Sequence, residues 1–304
     1  PFSHSFAKIS SYSHEDYTCN IILRDSKIHD ILYAEDPDLP NDVANVIRHT
    51  HPHPLLVQMV SSQLDADRMD YLLRDAYFTG TSYGEYDLER VLRTVRVRDH
   101  RMVVKESGIH TIEDYIMARY HMYWQVYYHT VGRSYEAILH GLFERLRDVY
   151  EEDPEDVSHL TMFLPLLQHQ MLTNRELLEL DECSCQYGFQ LMSKCKDTIL
   201  RDLSDRALNR RLFDYDTIVS VEQEYSYKQW ISSMGYDPEY YMYVDRTEAR
   251  PYEPYKGQEE NEILVLMRDG TVKRLSEASV IVNAILNGQN KNEKKVFYPK
   301  ELNE

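Results

Sequence analysis

The sequence predicts a mainly α protein, a helical bundle over residues 1–212 followed by a smaller α+β domain over 213–304. Three observations carry this. From Asn41 to about Leu146, apolar residues recur at intervals of three and four, and prolines occur only at Pro52 and Pro54. After about Phe213 the character changes to short β-prone runs, Met242-Tyr243-Val244 and Ile263 to Met267. At 304 residues the chain also has room for two cores, at ~150 residues per domain.

The elements follow in order. Leu55 to Phe78 reads as one helix running on from the turn His51-Pro52-His53-Pro54, with Gly80 as its C-cap. Glu113 to about Leu146 contains no proline and only Gly132 and Gly141, which predicts one long helix or a closely broken pair. A third helix is expected from Thr173 to about Ser193. In the C-terminal part, Asp269-Gly270 between two β-prone runs is a hairpin signal, and Glu277 to Leu286 reads as a helix behind it. Glu253 to Glu260 and Gln289 to Lys295 read as exposed loops.

Charge and cysteine usage narrow the function classes. With 34 basic and 51 acidic side chains the net charge is −17, which disfavours general attraction to nucleic acid or anionic lipid. Any polyanion must therefore meet a local basic pocket. Cys19, Cys183, Cys185 and Cys195 make neither a disulfide framework nor a paired zinc pattern, so a reducing, cytoplasmic compartment is expected. No stretch reaches the ~18 apolar residues of a membrane span, and the first residues show no charged-then-apolar signal-peptide pattern. Pro1-Phe2-Ser3-His4 reads like the middle of a domain, so the natural N-terminus is expected upstream of it. No phosphate-cradling Gly-rich loop or serine nucleophile motif is present. The 25 tyrosines against 8 phenylalanines suit subunit contacts, a nucleoside pocket or ordinary half-buried packing.

The stretch Ser61 to Gly80 is the most informative. At about 100° per residue, Met69, Leu72, Leu73 and Ala76 share one helical face, while Asp67, Tyr71, Arg74 and Asp75 form a stripe on another. That stripe is either solvated or a site. Asp67, Tyr71 and Asp75 lie four apart, and Arg119, Tyr123 and Tyr127 repeat the spacing, so two such helices could enclose one nucleotide. His49, His51 and His53 alternate either as metal ligands or as part of a proline turn. Arg90, Arg93, Arg96, Arg98 and Arg101 form a basic run that is either a helix surface paired with acids or an anion site.

The run Leu64-Asp65-Ala66-Asp67-Arg68-Met69-Asp70-Tyr71-Leu72-Leu73-Arg74-Asp75 closely resembles a signature segment of the HD-domain deoxynucleoside triphosphate triphosphohydrolase family. Pro1-Phe2-Ser3-His4 resembles the tail of the family's His-Asp-containing motif, His14-Glu15 its following pair, and Arg119 and Tyr127 its arginine and tyrosine on the next long helix. The resemblance covers about residues 1–145. It implies an HD-type bundle whose Asp67 ligates a divalent metal such as Mg, Mn or another transition metal. His4 and His14 would flank the scissile bond, with Glu15 orienting an imidazole, and Arg68 and Arg119 would hold phosphate oxygens. Tyr71 and Asp75 would contact the sugar and Tyr127 would pack beside them.

The family's remaining metal ligands, including the His-Asp pair, would lie upstream of Pro1. Asp87-Leu88-Glu89-Arg90 and Lys105 resemble the region where relatives bind an activating nucleotide between subunits, although the loop lengths before Lys105 differ. The activity implied is hydrolysis of a deoxynucleoside triphosphate (dNTP) to deoxynucleoside and inorganic triphosphate by a cytoplasmic homo-oligomer, a tetramer or dimer. The alternatives are a nucleotide-binding regulatory module without catalysis, or an HD phosphodiesterase acting on another phosphate ester.

Overall fold

Helices dominate the computed structural model, and strands make two small sheets, as expected for a mainly α chain with a lesser α+β part. The structure describes residues 5–24, 26–248, 252, 262–287 and 292–303. Two compact units are each drawn from separated stretches: residues 1–31, 129–247 and 293–304 form the first, and 32–128 with 248–292 the second. The strands are β1 (Val95–Arg98), β2 (Arg101–Lys105), β3 (Phe213–Thr217), β4 (Tyr243–Glu248), β5 (Leu264–Leu266), β6 (Val272–Arg274) and β7 (Asn292–Pro299).

In the second unit the single helix expected over Leu55–Phe78 is two, Pro54–Val60 and Ala66–Thr79. Asp65 makes the break. Its Oδ1 accepts from the Arg68 backbone N–H at 2.7 Å, capping the second helix, and its Oδ2 accepts from the Ser62 N–H at 2.9 Å, closing the turn before it. Gly80 ends that helix in the left-handed region at φ 68°, where a Cβ would be strained. Leu72 and Ala76 are buried and Met69 packs against the same core, as the periodicity implies.

Residues 95–105 fall in a stretch read as helical, and here the structure differs. Val95-Arg96-Val97-Arg98 alternates with period two and favours a pleated surface over a helix. Asp99 and His100, at φ 51° and 60°, form the two-residue turn, and β1 pairs antiparallel with β2. The Asp-Gly turn does join β5 to β6 antiparallel, and β5 lies parallel to β2, with Val104 opposite Val265. The helix expected over Glu277–Leu286 is divided at Ser279 into Leu275–Ala278 and Val280–Asn287.

Between Glu113 and Leu146 the pair is closely broken. Ile109–Met122 runs into a π-helical turn, Tyr123–Tyr127, closed by the Tyr128 N–H donating to the Tyr123 carbonyl at 2.8 Å. A new helix, Thr130–Glu152, belongs to the first unit and buries Ile138, Leu139, Leu142, Phe143 and Leu146 along one stripe. Gly141 faces the Tyr240 carbonyl so closely that a Cβ would lie 2.1 Å from its oxygen.

The helix expected over Thr173–Ser193 is again two, Asn174–Glu179 and Glu182–Met192. Each has its own N-cap, from Thr173 in a capping box with Glu176 and from Asp181, and those caps interrupt the helical run. The sheet order is β3-β7-β4. Of the expected loop Gln289–Lys295, residues 292–295 instead begin β7, with Lys295 opposite Thr217, because burial of Val296, Phe297 and Tyr298 fixes the strand. The loop read at Glu253–Glu260 lies outside the described residues.

Candidate functional site

Two elements of the second unit gather five of the residues singled out in the sequence. The Ala66–Thr79 helix supplies Arg68, Tyr71 and Asp75, while Ile109–Met122 and its π turn supply Arg119 and Tyr127. Arg119 is 8% exposed, and its Nη1 donates to the Gln63 Oε1 at 2.9 Å. The guanidinium stands 5.5 Å from the Tyr123 ring centroid and hydrogen-bonds the Tyr123 hydroxyl. Its Nε is buried without a hydrogen-bond partner, and no ion pair of the described residues includes Arg119.

Arg68 donates from Nε to the Asp65 Oδ2 at 3.2 Å, and its Nη1 is likewise buried without a partner. Both guanidiniums act on the same tyrosines, Tyr71, Tyr115 and Tyr123. Among the described residues the Arg68–Arg119 cluster thus holds two fixed positive charges against one carboxylate in contact, that of Asp65. Buried charge without a partner is costly, and forked donors left open are the arrangement that a phosphate group satisfies.

Beside the arginines lies an aromatic wall. The Tyr127 hydroxyl donates to Asp75 Oδ2 at 2.5 Å, the Tyr71 and Tyr127 rings meet edge-on at 6.0 Å, and the Tyr71 and Tyr123 hydroxyls hydrogen-bond each other. Burial pushes the Tyr71 and Tyr127 hydroxyls well above the usual tyrosine range, and for Tyr127 the Asp75 carboxylate adds to it. Burial also acts to raise Tyr123, but the Arg119 charge and the hydrogen bonds from Tyr71 and Arg119 outweigh it, and its pKa falls. Burial raises the Asp65 carboxyl against the backbone N–H groups of Arg68 and Ser62 and the Arg68 charge.

The other sequence-derived residues are placed differently. Asp67 is exposed in the first turn of its helix. His14 and Glu15 belong to the first unit, both exposed at the start of the His14–Leu23 helix, whose N-cap is Ser13. His4 lies outside the described residues. Arg90 and Lys105 are exposed; the Arg90 Nη2 donates to the Ser107 carbonyl at 3.1 Å. Arg96, Arg98 and Arg101 lie on the β1–β2 hairpin and not on a helix surface. His51 and His53 form the proline turn, the His53 N–H donating to His51 Nδ1 at 3.0 Å.

Gln63 and Asp65 joined no motif-based assignment. An Asp three residues before Arg68 is an N-cap signal that could have marked Asp65. Nothing local marks Gln63, whose partner Arg119 is 56 residues away in sequence.

A divalent cation needs several hard ligands. Among the described residues no group of three or more His, Cys, Asp or Glu side chains could hold one. Asp67 offers a single carboxylate, so the described residues do not by themselves fit a metal.

Residues 86–163 match the family model described as "HD associated region", a span that includes Arg119, Tyr123 and Tyr127. The chain is 43% identical over 308 residues to the uncharacterized protein YwfO of Bacillus subtilis, covering 99% of this chain and 71% of that one. It is also 25% identical over 179 residues to a protein of Dictyostelium discoideum named deoxynucleoside triphosphate triphosphohydrolase SAMHD1 homolog, covering 53% of this chain and 34% of that one. The chain belongs to the same family as YwfO, and its HD-associated region and the SAMHD1-homolog match support an HD-domain phosphohydrolase family. A solved phosphohydrolase from Bacteroides thetaiotaomicron shares the fold at a TM-score of 0.75 and 24% identity, over 98% of this chain and 75% of that one. A hypothetical protein from Aquifex aeolicus matches at a TM-score of 0.73 and 25% identity, over 99% of this chain and 73% of its own. HD-domain phosphohydrolases generally use divalent metals to hydrolyse phosphate esters. No helix among the described residues is long and apolar enough to cross a membrane.

Proposed function

We propose that this chain is an HD-domain phosphohydrolase that cleaves deoxynucleoside triphosphates into deoxynucleoside and inorganic triphosphate. One observation carries the reading. Arg68 and Arg119 are largely buried, have among the described residues one carboxylate in contact, Asp65 on Arg68, and keep open guanidinium donors in the cluster that also contains Tyr71, Tyr123 and Tyr127. A polyphosphate satisfies such donors two oxygens at a time, and the adjoining tyrosines and Asp75 supply a flat, hydrogen-bonding wall suited to a sugar. Asp75, already an acceptor from Tyr127, is the group to accept a 3′ hydroxyl, with Tyr71 crowding the 2′ position.

In the reaction, water attacks the α-phosphorus, the bond to the 5′ oxygen breaks, and the departing oxygen takes a proton. The arginines neutralise charge that builds on the phosphate oxygens. By resemblance, His4 and His14 are proposed to line the scissile bond, one of them protonating the departing 5′ oxygen, with Glu15 orienting an imidazole and Asp67 the proposed metal ligand. Arg90 and Lys105 are the proposed contacts of an activating nucleotide within a homo-oligomer.

The experiment incubates the full chain with dGTP, dATP, dCTP or TTP and Mg²⁺ or Mn²⁺, and follows products by ion chromatography. Inorganic triphosphate released in step with deoxynucleoside is expected. Monophosphate and pyrophosphate, or no turnover with any metal and nucleotide combination, would overturn the proposal. Equal hydrolysis of ribonucleotides would move the chain to the phosphodiesterase reading.

A further inference from the structure

Gln63 stands where an enzyme that wanted only stability would place a carboxylate. It is 3% exposed, just ahead of the Ala66–Thr79 helix, and is gripped twice by the Ile109–Met122 helix. Its backbone carbonyl accepts from the Tyr115 hydroxyl at 3.0 Å, and its side-chain Oε1 accepts from Arg119 Nη1 at 2.9 Å. Tyr115 and Arg119 are one helical turn apart, so the two contacts together fix both the position of Gln63 and the rotamer of the guanidinium. We infer that Gln63 is the positioning residue of the phosphate site, an amide that orients Arg119 while leaving its charge uncompensated for an anionic ligand.

The choice of amide over acid is the substance of the inference. A glutamate of the same shape would make a charge-assisted bond to Arg119 and close a buried ion pair. The fork would then be held as well as before, but its charge would be spent inside the protein. Arg68 shows the contrast, since its Nε is paired with Asp65 at 3.2 Å. One arginine is thereby anchored by a carboxylate and the other by a neutral oxygen, and the cluster keeps a net positive charge.

The inference rests on the phosphate-site reading above, so the test separates the two. Binding of inorganic tripolyphosphate to the full-length chain is measured by titration calorimetry for the parent, Gln63→Glu, Gln63→Met and Arg119→Ala, with thermal unfolding of each. Arg119→Ala reports on the site itself: unchanged affinity in that variant would sink the phosphate reading. Given a loss there, Gln63→Glu is expected to bind about tenfold or more weakly at an unfolding midpoint no lower than the parent's, because an ion pair has replaced an open charge. Gln63→Met keeps the volume and the net charge but removes the acceptor, and an intermediate loss is expected. Where the nucleotide reaction is followed instead, the Gln63→Glu effect should fall on KM more than on kcat. Binding by Gln63→Glu within twofold of the parent, with Arg119→Ala impaired, would overturn the role given to Gln63. A loss in Gln63→Met as large as that in Gln63→Glu would overturn the charge argument.

Discussion

Arg119 keeps its charge in the interior with a neutral amide and an aromatic ring for company, and that choice of partners separates a binding arginine from a structural one. Arg145, by comparison, donates to Asp197 at 2.7 Å and so sits in a closed ion pair. Removing Arg119 should therefore cost function and not stability. Arg119→Ala is expected to lower kcat/KM for a dNTP roughly 10- to 100-fold, the worth of a lost hydrogen bond to a charged group, while raising or preserving the unfolding midpoint. Steady-state kinetics beside a melting curve reads both. Tyr127 is the opposite case, because its 2.5 Å bond to Asp75 is made without any ligand. Tyr127→Phe should reduce stability by about 1–3 kcal/mol in urea unfolding, since a half-buried carboxylate loses its donor.

Among the elements, caps and turns decide where helices stop. Asp65, Thr173 and Asp181 each end what reads as continuous helical periodicity, because a side-chain acceptor satisfies N–H groups that a preceding turn would otherwise have taken. The β1–β2 hairpin turns through Asp99 and His100, both at positive φ. His100→Gly should stabilise the chain by up to about 1 kcal/mol, since relief of about 1–2 kcal/mol of left-handed strain exceeds the about 0.4–1 kcal/mol of unfolded-chain entropy that glycine adds. A gain of that size in denaturant midpoint confirms it, and a loss would mean that the His100 ring, 5.3 Å from that of His53, matters more than the backbone. Gly141 is the reverse. Gly141→Val would drive a side chain into the Tyr240 carbonyl and cost more than about 2 kcal/mol, measurable in the same way.

For the whole molecule, the acid limb of stability has an identifiable contributor. Burial lowers the His140 pKa to about 4, helped by the Lys8 charge and despite Glu144 Oε2 at 3.3 Å from its Nδ1. The unfolded chain carries this histidine near its ordinary value of 6.5. Between those two values the unfolded state binds a proton that the folded state refuses, so stability should fall as pH drops from about 6.5 to about 4 and be insensitive to His140 above that window. Glu301, held near 2 by its backbone hydrogen bond and by Arg211 and Arg206 against the effect of burial, loses its contribution only at lower pH. Melting temperatures measured from pH 8 to 4 should therefore slope less in His140→Gln than in the parent, and an unchanged slope between pH 6.5 and 4.5 would refute the assignment.

What the sequence determined by itself was local. The three-and-four spacing of apolar residues settled that the chain is mainly helical, Asp269-Gly270 settled a hairpin, and the run Leu64 to Asp75 marked the helix that carries Arg68, Tyr71 and Asp75. These depend on neighbours within a few residues, where periodicity and turn chemistry act. The tertiary structure decided everything that depends on distant partners. It set the break at Asp65, drew 95–105 into strands beside β5, and began β7 where a loop was expected. It also buried Gln63 against a guanidinium 56 residues away, leaving that charge open. A side chain's burial and its long-range partner are properties of packing, and no local pattern encodes them.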